Sequence, residues 1–268
     1  MGRLGRKQVG MTLRLGLIGY GAIGRHIEVA RIDDVELVAV LVKRARRDQR
    51  ITHEPDRFFA APMDVVVECA GHDAVRFYGE RVLEHGADLL VTSVGAFADD
   101  ALFDRLLATA RANGRRLFLP SAGIGALDIL SAAAVGGLDS VTVTVRKDPS
   151  AWKGTAAEEL VDLASLSAPR IVFDGPVREG ARLYPQNVNI SAAAAIAGIG
   201  LDRTRLVIVA DPTIATHIVE LEATGAFGRF SFREDVAVSE ENRKTGKLVA
   251  MALVKSVRQL ASTLVLAA

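Results

Sequence analysis

The chain of 268 residues holds a single cysteine, Cys69, so no intrachain disulfide can form. That usage fits a reducing cytoplasm, the expected location. No apolar run approaches the ~20 residues that cross a bilayer, so no membrane partner is expected. The basic opening segment, residues 1–12, lacks the apolar core of a signal peptide and reads as a flexible extension. Charge is nearly balanced at +1, which gives no electrostatic reason to expect a nucleic-acid partner. No Cys/His cluster has metal-ligand spacing, so no metal is expected. Neither a G-x-S-x-G nor a Walker A motif occurs. Half of the residues are hydrophobic, enough for a sizeable core.

What is present starts at Leu13. The run LRLGLIGYGAIG over 13–24 reads as a short buried strand leading into a helix at Ala22–Ile32, with Gly19, Gly21 and Gly24 in the G-x-G-x-x-G spacing. In a dinucleotide-binding turn the first glycine permits the tight bend, the second lets backbone approach a pyrophosphate, and the third lets helix and strand pack closely. The free N–H groups at the helix start, Ala22 and Ile23 included, attract phosphate. The next strand, 36–42, ends at Lys43-Arg44, where an NAD-preferring fold usually has a carboxylate for the ribose. These cations read either as a 2′-phosphate site or as a solvated basic loop, so NAD or NADP is expected.

Further strands are expected at 64–69, 88–94 and 116–119, alternating with helices that Asp73 and Asp99 cap. This alternation indicates a parallel sheet whose ligand lies across the carboxyl ends of the strands. Gly19–Gly24, Ala70-Gly71-His72, Ser93–Ala96 and Pro120–Gly123 fall on that edge. After Pro120 the pattern changes. A helix is expected at 124–135, and the strictly alternating 140–146 belongs to a different sheet. Strands at 171–173, 206–210, 217–223 and 230–232 and helices at 179–184 and 191–199 follow. An amphipathic helix at 247–264 closes the chain. The fold class is α/β: a Rossmann-type parallel sheet over 13–120, an α+β substrate or catalytic domain over 121–245, and a C-terminal helix over 246–268 that returns to the first domain.

The ordered set GLIGYGAIG (16–24), VVVECAG (65–71), TSVGAFAD (92–99), PSAGIGALD (120–128), KDPSAWKGTA (147–156), YPQNVNISAA (184–193), ADPTIATHIVELEATGAFGRF (210–230) and ENRKTGKL (241–248) resembles L-aspartate dehydrogenases of bacteria and archaea. The resemblance implies reversible oxidative deamination of L-aspartate by NAD or NADP, through iminoaspartate, to oxaloacetate and ammonia. It also implies a supply of iminoaspartate to NAD biosynthesis. The family's catalytic histidine corresponds to His217, and its cofactor contacts to Ala122 or Gly123 and to Asn187. The chain departs from the family pattern at Ala215, where Asn is frequent, at Arg243, and in its order Ser121-Ala122-Gly123.

Histidine is the natural proton carrier near neutral pH. Of the five, His26, His53 and His85 read as surface, loop and helix-end residues, while His72 on the cofactor edge competes with His217. Asp211 is a possible orienter of His217. Lys147, Lys153, Lys244 and Thr245 are candidates for the substrate carboxylates. Glu68 is a candidate ribose contact, and Trp152 reads equally as lid or core. A homodimer is the default for such an enzyme, with the second sheet as a possible interface. Alternative functions are a homoserine-dehydrogenase-like or dihydrodipicolinate-reductase-like enzyme, or a non-catalytic NAD(P) sensor.

Overall fold

Leu15, Leu17 and Ile18 of β1 (Leu13–Ile18) are all buried. A strand with no polar face is what a sheet covered on both sides requires. The structure, a computed structural model, describes residues 12–44, 48–121, 123–185, 187–239 and 246–266. Most of the expected extension, together with Ala122, Arg243, Lys244 and Thr245, lies outside the described residues.

The first unit continues with α1 (Ala22–Val29), β2 (Val35–Leu41), β3 (Ile51–Thr52), α2 (Pro55–Phe59), β4 (Val65–Glu68), α3 (His72–Glu84), β5 (Asp88–Val91), α4 (Asp100–Ala112) and β6 (Leu117–Phe118). Its six strands are parallel in the order β3-β2-β1-β4-β5-β6. The order reverses between β1 and β4, and ligands of such sheets bind at that switch point. The opposite, amino edge is fastened twice by one device. Asp64 accepts the backbone N–H and the guanidinium of Arg14, and Asp88 does the same for Arg116. Register is thus held on the edge away from the ligand.

Several expectations shift. β3 and α2 have no counterpart in the sequence reading, because so short a strand leaves no period to detect. α1 stops at Val29 because Arg31 and Asp34 take left-handed conformations, with φ of 42° and 57°. Asp73 does not cap α3; Gly71 stands there with φ +120°, and Asp73 lies inside the first turn. Asp99 does cap α4, accepting from the Leu102 N–H at 3.1 Å.

The second unit comprises α5 (Leu127–Val135), β7 (Leu138–Lys147), α6 (Ala157–Leu160), β8 (Arg170–Pro176), α7 (Val177–Leu183), α8 (Asn189–Ala197), β9 (Arg205–Ala210), β10 (His217–Gly225) and β11 (Gly228–Val236). The sheet order is β11-β10-β7-β9-β8. Ala192–Ala195 of α8 are all buried, and their short side chains allow close approach of the neighbouring helix and sheet. The last helix, α9 (Lys247–Ala261), buries Leu253, Val254 and Val257 in the same cluster as Leu15, Leu17 and Ile27 of the first unit. Each such side chain contributes ~1.5–3 kcal/mol on burial, so the two chain ends hold one core together. Arg178 of α7 adds a polar tie, donating to the Ala98 carbonyl and to Asp100 at 2.7 and 3.0 Å. No helix among the described residues is long and apolar enough to cross a membrane.

Candidate active site

The glycine turn at the switch point has three different local demands. Gly19 has φ +101°, and a side chain there would meet the Cys69 carbonyl at 2.7 Å. Gly24 lies against the Gly19 carbonyl, which a Cβ would meet at 2.6 Å. Gly21, by contrast, has nothing within 4 Å of where its Cβ would be. The first and third glycines make the bend, and the second leaves an open backbone face at the start of α1. That is a cradle suited to a pyrophosphate.

The turn opens onto a cleft of about 1740 Å³. Tyr20, Lys43 and Arg44 lie along one wall, and Ala70, Gly71, His72 and Ser93 along another. A smaller cavity of about 170 Å³ adjoins it and shares Cys69, Gly71, Ser93 and Asn189 with the cleft. Ile23, Thr92 and Gly123 reach the cavity near the first sheet, and Lys147, Asn187 and His217 reach it from the second unit.

Topology explains how Lys147 and His217 meet. β7 ends at Lys147 and the antiparallel β10 begins at His217. The ladder pairs Arg146 with Ile218, so one step further Lys147 stands opposite His217. Residues directly opposite in an antiparallel pair project to the same face. Both side chains are buried, at 3% and 5% exposure. The Lys147 ammonium donates to Asn187 Oδ1 at 2.9 Å and lies 5.4 Å from the Trp152 ring centre. Asn187 Nδ2 is buried with no partner among the described residues.

The remaining candidates separate clearly. His72 borders the cleft but is absent from the small cavity's lining. Its Nε2 lies 3.1 Å from Asn189 Oδ1, which also accepts the Gly95 N–H at 2.9 Å. Asn189 therefore bridges the two units, a role that its place two residues after Asn187 does not reveal in the sequence. The Asp211 carboxylate is bound by Arg146 and Thr213. Desolvation pushes the Asp211 pKa up, but these hydrogen bonds outweigh it and hold the carboxyl below its ordinary range. Lys153 is exposed, ends the 3₁₀ turn Pro149–Trp152 and borders neither cavity. Trp152 is fully buried, edge-on to Tyr184, and is core, not lid.

Glu68 is not positioned as a ribose contact. Its carboxylate accepts from the N–H groups of Ala70, Gly71 and Ser93 and from the Ser93 hydroxyl, at 2.7 to 3.0 Å. It ties together the two loops that form the cleft wall. Burial pushes its pKa up against the downward pull of those bonds. Burial likewise pushes the Cys69 thiol up, and its Sγ donates to the Gly19 carbonyl at 3.3 Å. Such a thiol is a packing group, not a nucleophile. Glu234 of β11 was also unforeseen. It sits two residues before Val236, the ladder partner of His217, and burial pushes its carboxyl up to about 7. Among the described residues no His, Cys, Asp or Glu group is placed to hold a metal.

Comparison with known proteins agrees along the chain. Residues 128–260 match the family model "Aspartate dehydrogenase, C-terminal", and residues 15–120 match "Homoserine dehydrogenase, NAD binding domain". The L-aspartate dehydrogenase of Ruegeria pomeroyi is 40% identical over 261 residues, covering 93% of each chain. That of Pseudomonas aeruginosa is 41% identical over 256 residues, covering 91% of this chain and 96% of its own. In fold, the crystal structure of aspartate dehydrogenase from Thermotoga maritima superposes with a TM-score of 0.76 at 24% identity, covering 95% of this chain and 99% of that one.

Proposed function

The chain belongs to the L-aspartate dehydrogenase family, and from that premise we propose that it takes L-aspartate through iminoaspartate to oxaloacetate and ammonia, reversibly, with His217 carrying the protons. It is an NAD(P)-dependent oxidoreductase acting on a CH–NH₂ group. What supports the finer reading is one observation. Lys147 and His217 stand side by side in a buried cavity that shares a wall with the cleft of the glycine turn.

In this reading Gly19, Gly21 and Gly24, with the start of α1 at Ala22 and Ile23, receive the pyrophosphate. Ala70, Gly71, Ser93, Gly123 and Asn187 flank the passage from cleft to cavity, where the nicotinamide would lie. NAD(P) bound there supplies the acceptor for the hydride that leaves the substrate Cα. Lys147 holds a substrate carboxylate; a buried ammonium offers a strong charge-assisted hydrogen bond. His217 takes a proton from the water that attacks the imine carbon and returns it to the departing nitrogen as ammonia leaves. The iminoaspartate stage makes supply to NAD biosynthesis part of the same proposal.

The test is the appearance of reduced nicotinamide absorbance with L-aspartate, and its loss with oxaloacetate plus ammonia, using each cofactor. Turnover with L-aspartate is expected. Tight cofactor binding without turnover on either side would replace this reading with that of a sensor.

A further inference from the structure

The cleft's adenosine end carries a charge pattern that the reaction does not explain. The Gly19 N–H donates to the Leu41 carbonyl at 2.8 Å, which places the end of β2 directly beside the glycine turn. Two residues on, Lys43 and Arg44 border the cleft, about 20 residues after the third glycine, where an NAD-selective sheet places its ribose-binding carboxylate. The Val42 N–H donates to the Thr52 carbonyl at 2.9 Å, and this tie brings His53 to the same wall. Arg25 of α1 also borders it. The carboxylates among the cleft's described lining are Asp73 and Asp99, which begin α3 and cap α4 on the other side of the switch point. Two acids near the cations, Glu28 and Asp48, are both bound by Arg50 at 2.8 and 3.3 Å, and Glu28 also accepts the Tyr20 hydroxyl. Neither borders the cleft.

We infer that Lys43 and Arg44 form a 2′-phosphate site that makes this chain prefer NADP over NAD; the inference rests on the cofactor reading of the glycine turn. Among the described residues that line this end, no carboxylate stands to accept a ribose 2′-hydroxyl. A 2′-phosphate, carrying nearly two negative charges, meets a guanidinium able to bind two of its oxygens and an ammonium beside it. Both side chains are exposed, so the preference is sensitive to ionic strength.

The experiment is equilibrium titration of the full chain with NADPH and with NADH, followed by nicotinamide fluorescence without substrate. NADPH is expected to bind about 10-fold or more tightly than NADH at low salt, with the ratio shrinking as salt is raised. In Lys43→Ser/Arg44→Asp the ratio should invert, through weakened NADPH binding, while thermal unfolding stays that of the parent chain. Parent protein that binds NADH as tightly as NADPH, or a double variant that keeps the parent ratio, overturns the 2′-phosphate site and leaves the dinucleotide site standing. Failure of both nucleotides to bind overturns the dinucleotide site itself and this inference with it.

Discussion

The Lys147 ammonium stands 2.9 Å from Asn187 Oδ1, on a residue directly opposite His217 across the β7–β10 pair, with 3% of the lysine exposed. A buried ammonium is costly unless it is hydrogen-bonded or paired, and in the small cavity that Lys147 lines a substrate carboxylate would be such a partner. Lys147→Met should therefore cut kcat/KM for L-aspartate by about 100-fold, mainly through KM, and leave the cofactor Kd within about 3-fold. Initial-rate kinetics with a parallel cofactor titration checks this. A normal KM would remove Lys147 from carboxylate binding.

His217→Ala should lower kcat by about 100-fold or more, because a positioned acid–base group contributes at least that. His72→Ala, measured beside it, should keep kcat within about 10-fold, since His72 borders the cleft and bonds to Asn189. The reverse ranking would move the proton carrier to His72.

The glycines of the turn should separate binding from folding. Gly21→Ala meets nothing within 4 Å and has φ −81°, so unfolding stability should change by less than about 0.5 kcal/mol while NAD(P) affinity falls. Gly24→Ala forces a Cβ to 2.6 Å from a backbone carbonyl and should cost about 1–3 kcal/mol of stability. Denaturant unfolding and cofactor titration on both variants give the comparison.

Asn189→Ala leaves the Gly95 N–H without its side-chain acceptor and removes the partner of His72 across the two units. A loss of about 1–3 kcal/mol in chemical unfolding is expected. An unchanged midpoint would mean that the bridge carries no net stability.

Glu234 gives a pH signature. Its carboxyl keeps its proton to about pH 7 in the folded chain, against an ordinary value of 4.5. Between those values the native state binds more protons than the unfolded chain, so stability is greatest below the window and falls as pH rises through it. The fall should be on the order of 1 kcal/mol, since water still screens this half-buried group. Glu234→Gln should flatten that slope in thermal unfolding recorded across the window.

The parallel first sheet was legible because β1, β4 and β5 are apolar runs followed within a few residues by glycine. β1, β4 and β5 bury every side chain or nearly so, and such runs survive without reference to neighbours. β3, with two residues, is fixed by pairing with β2 and had no signal of its own. The left-handed turns at Arg31 and Ala126 also escaped notice, because neither residue type advertises a positive φ.

The dinucleotide turn, the places of its glycines and the residue types able to move a proton could all be read along the chain. Those features are local: spacing along one strand, one turn and one helix start. Which candidates meet depends on strand pairing and packing. His217 and Lys147 are 70 residues apart in number and adjacent through antiparallel pairing of β7 with β10. Asp211 lies nearer to His217 in sequence, yet it is turned to Arg146 and Thr213. Glu68 and Asn189 took structural roles for the same reason: a buried polar atom goes to whichever donor or acceptor the packing brings within reach, and packing is set by strands distant in sequence.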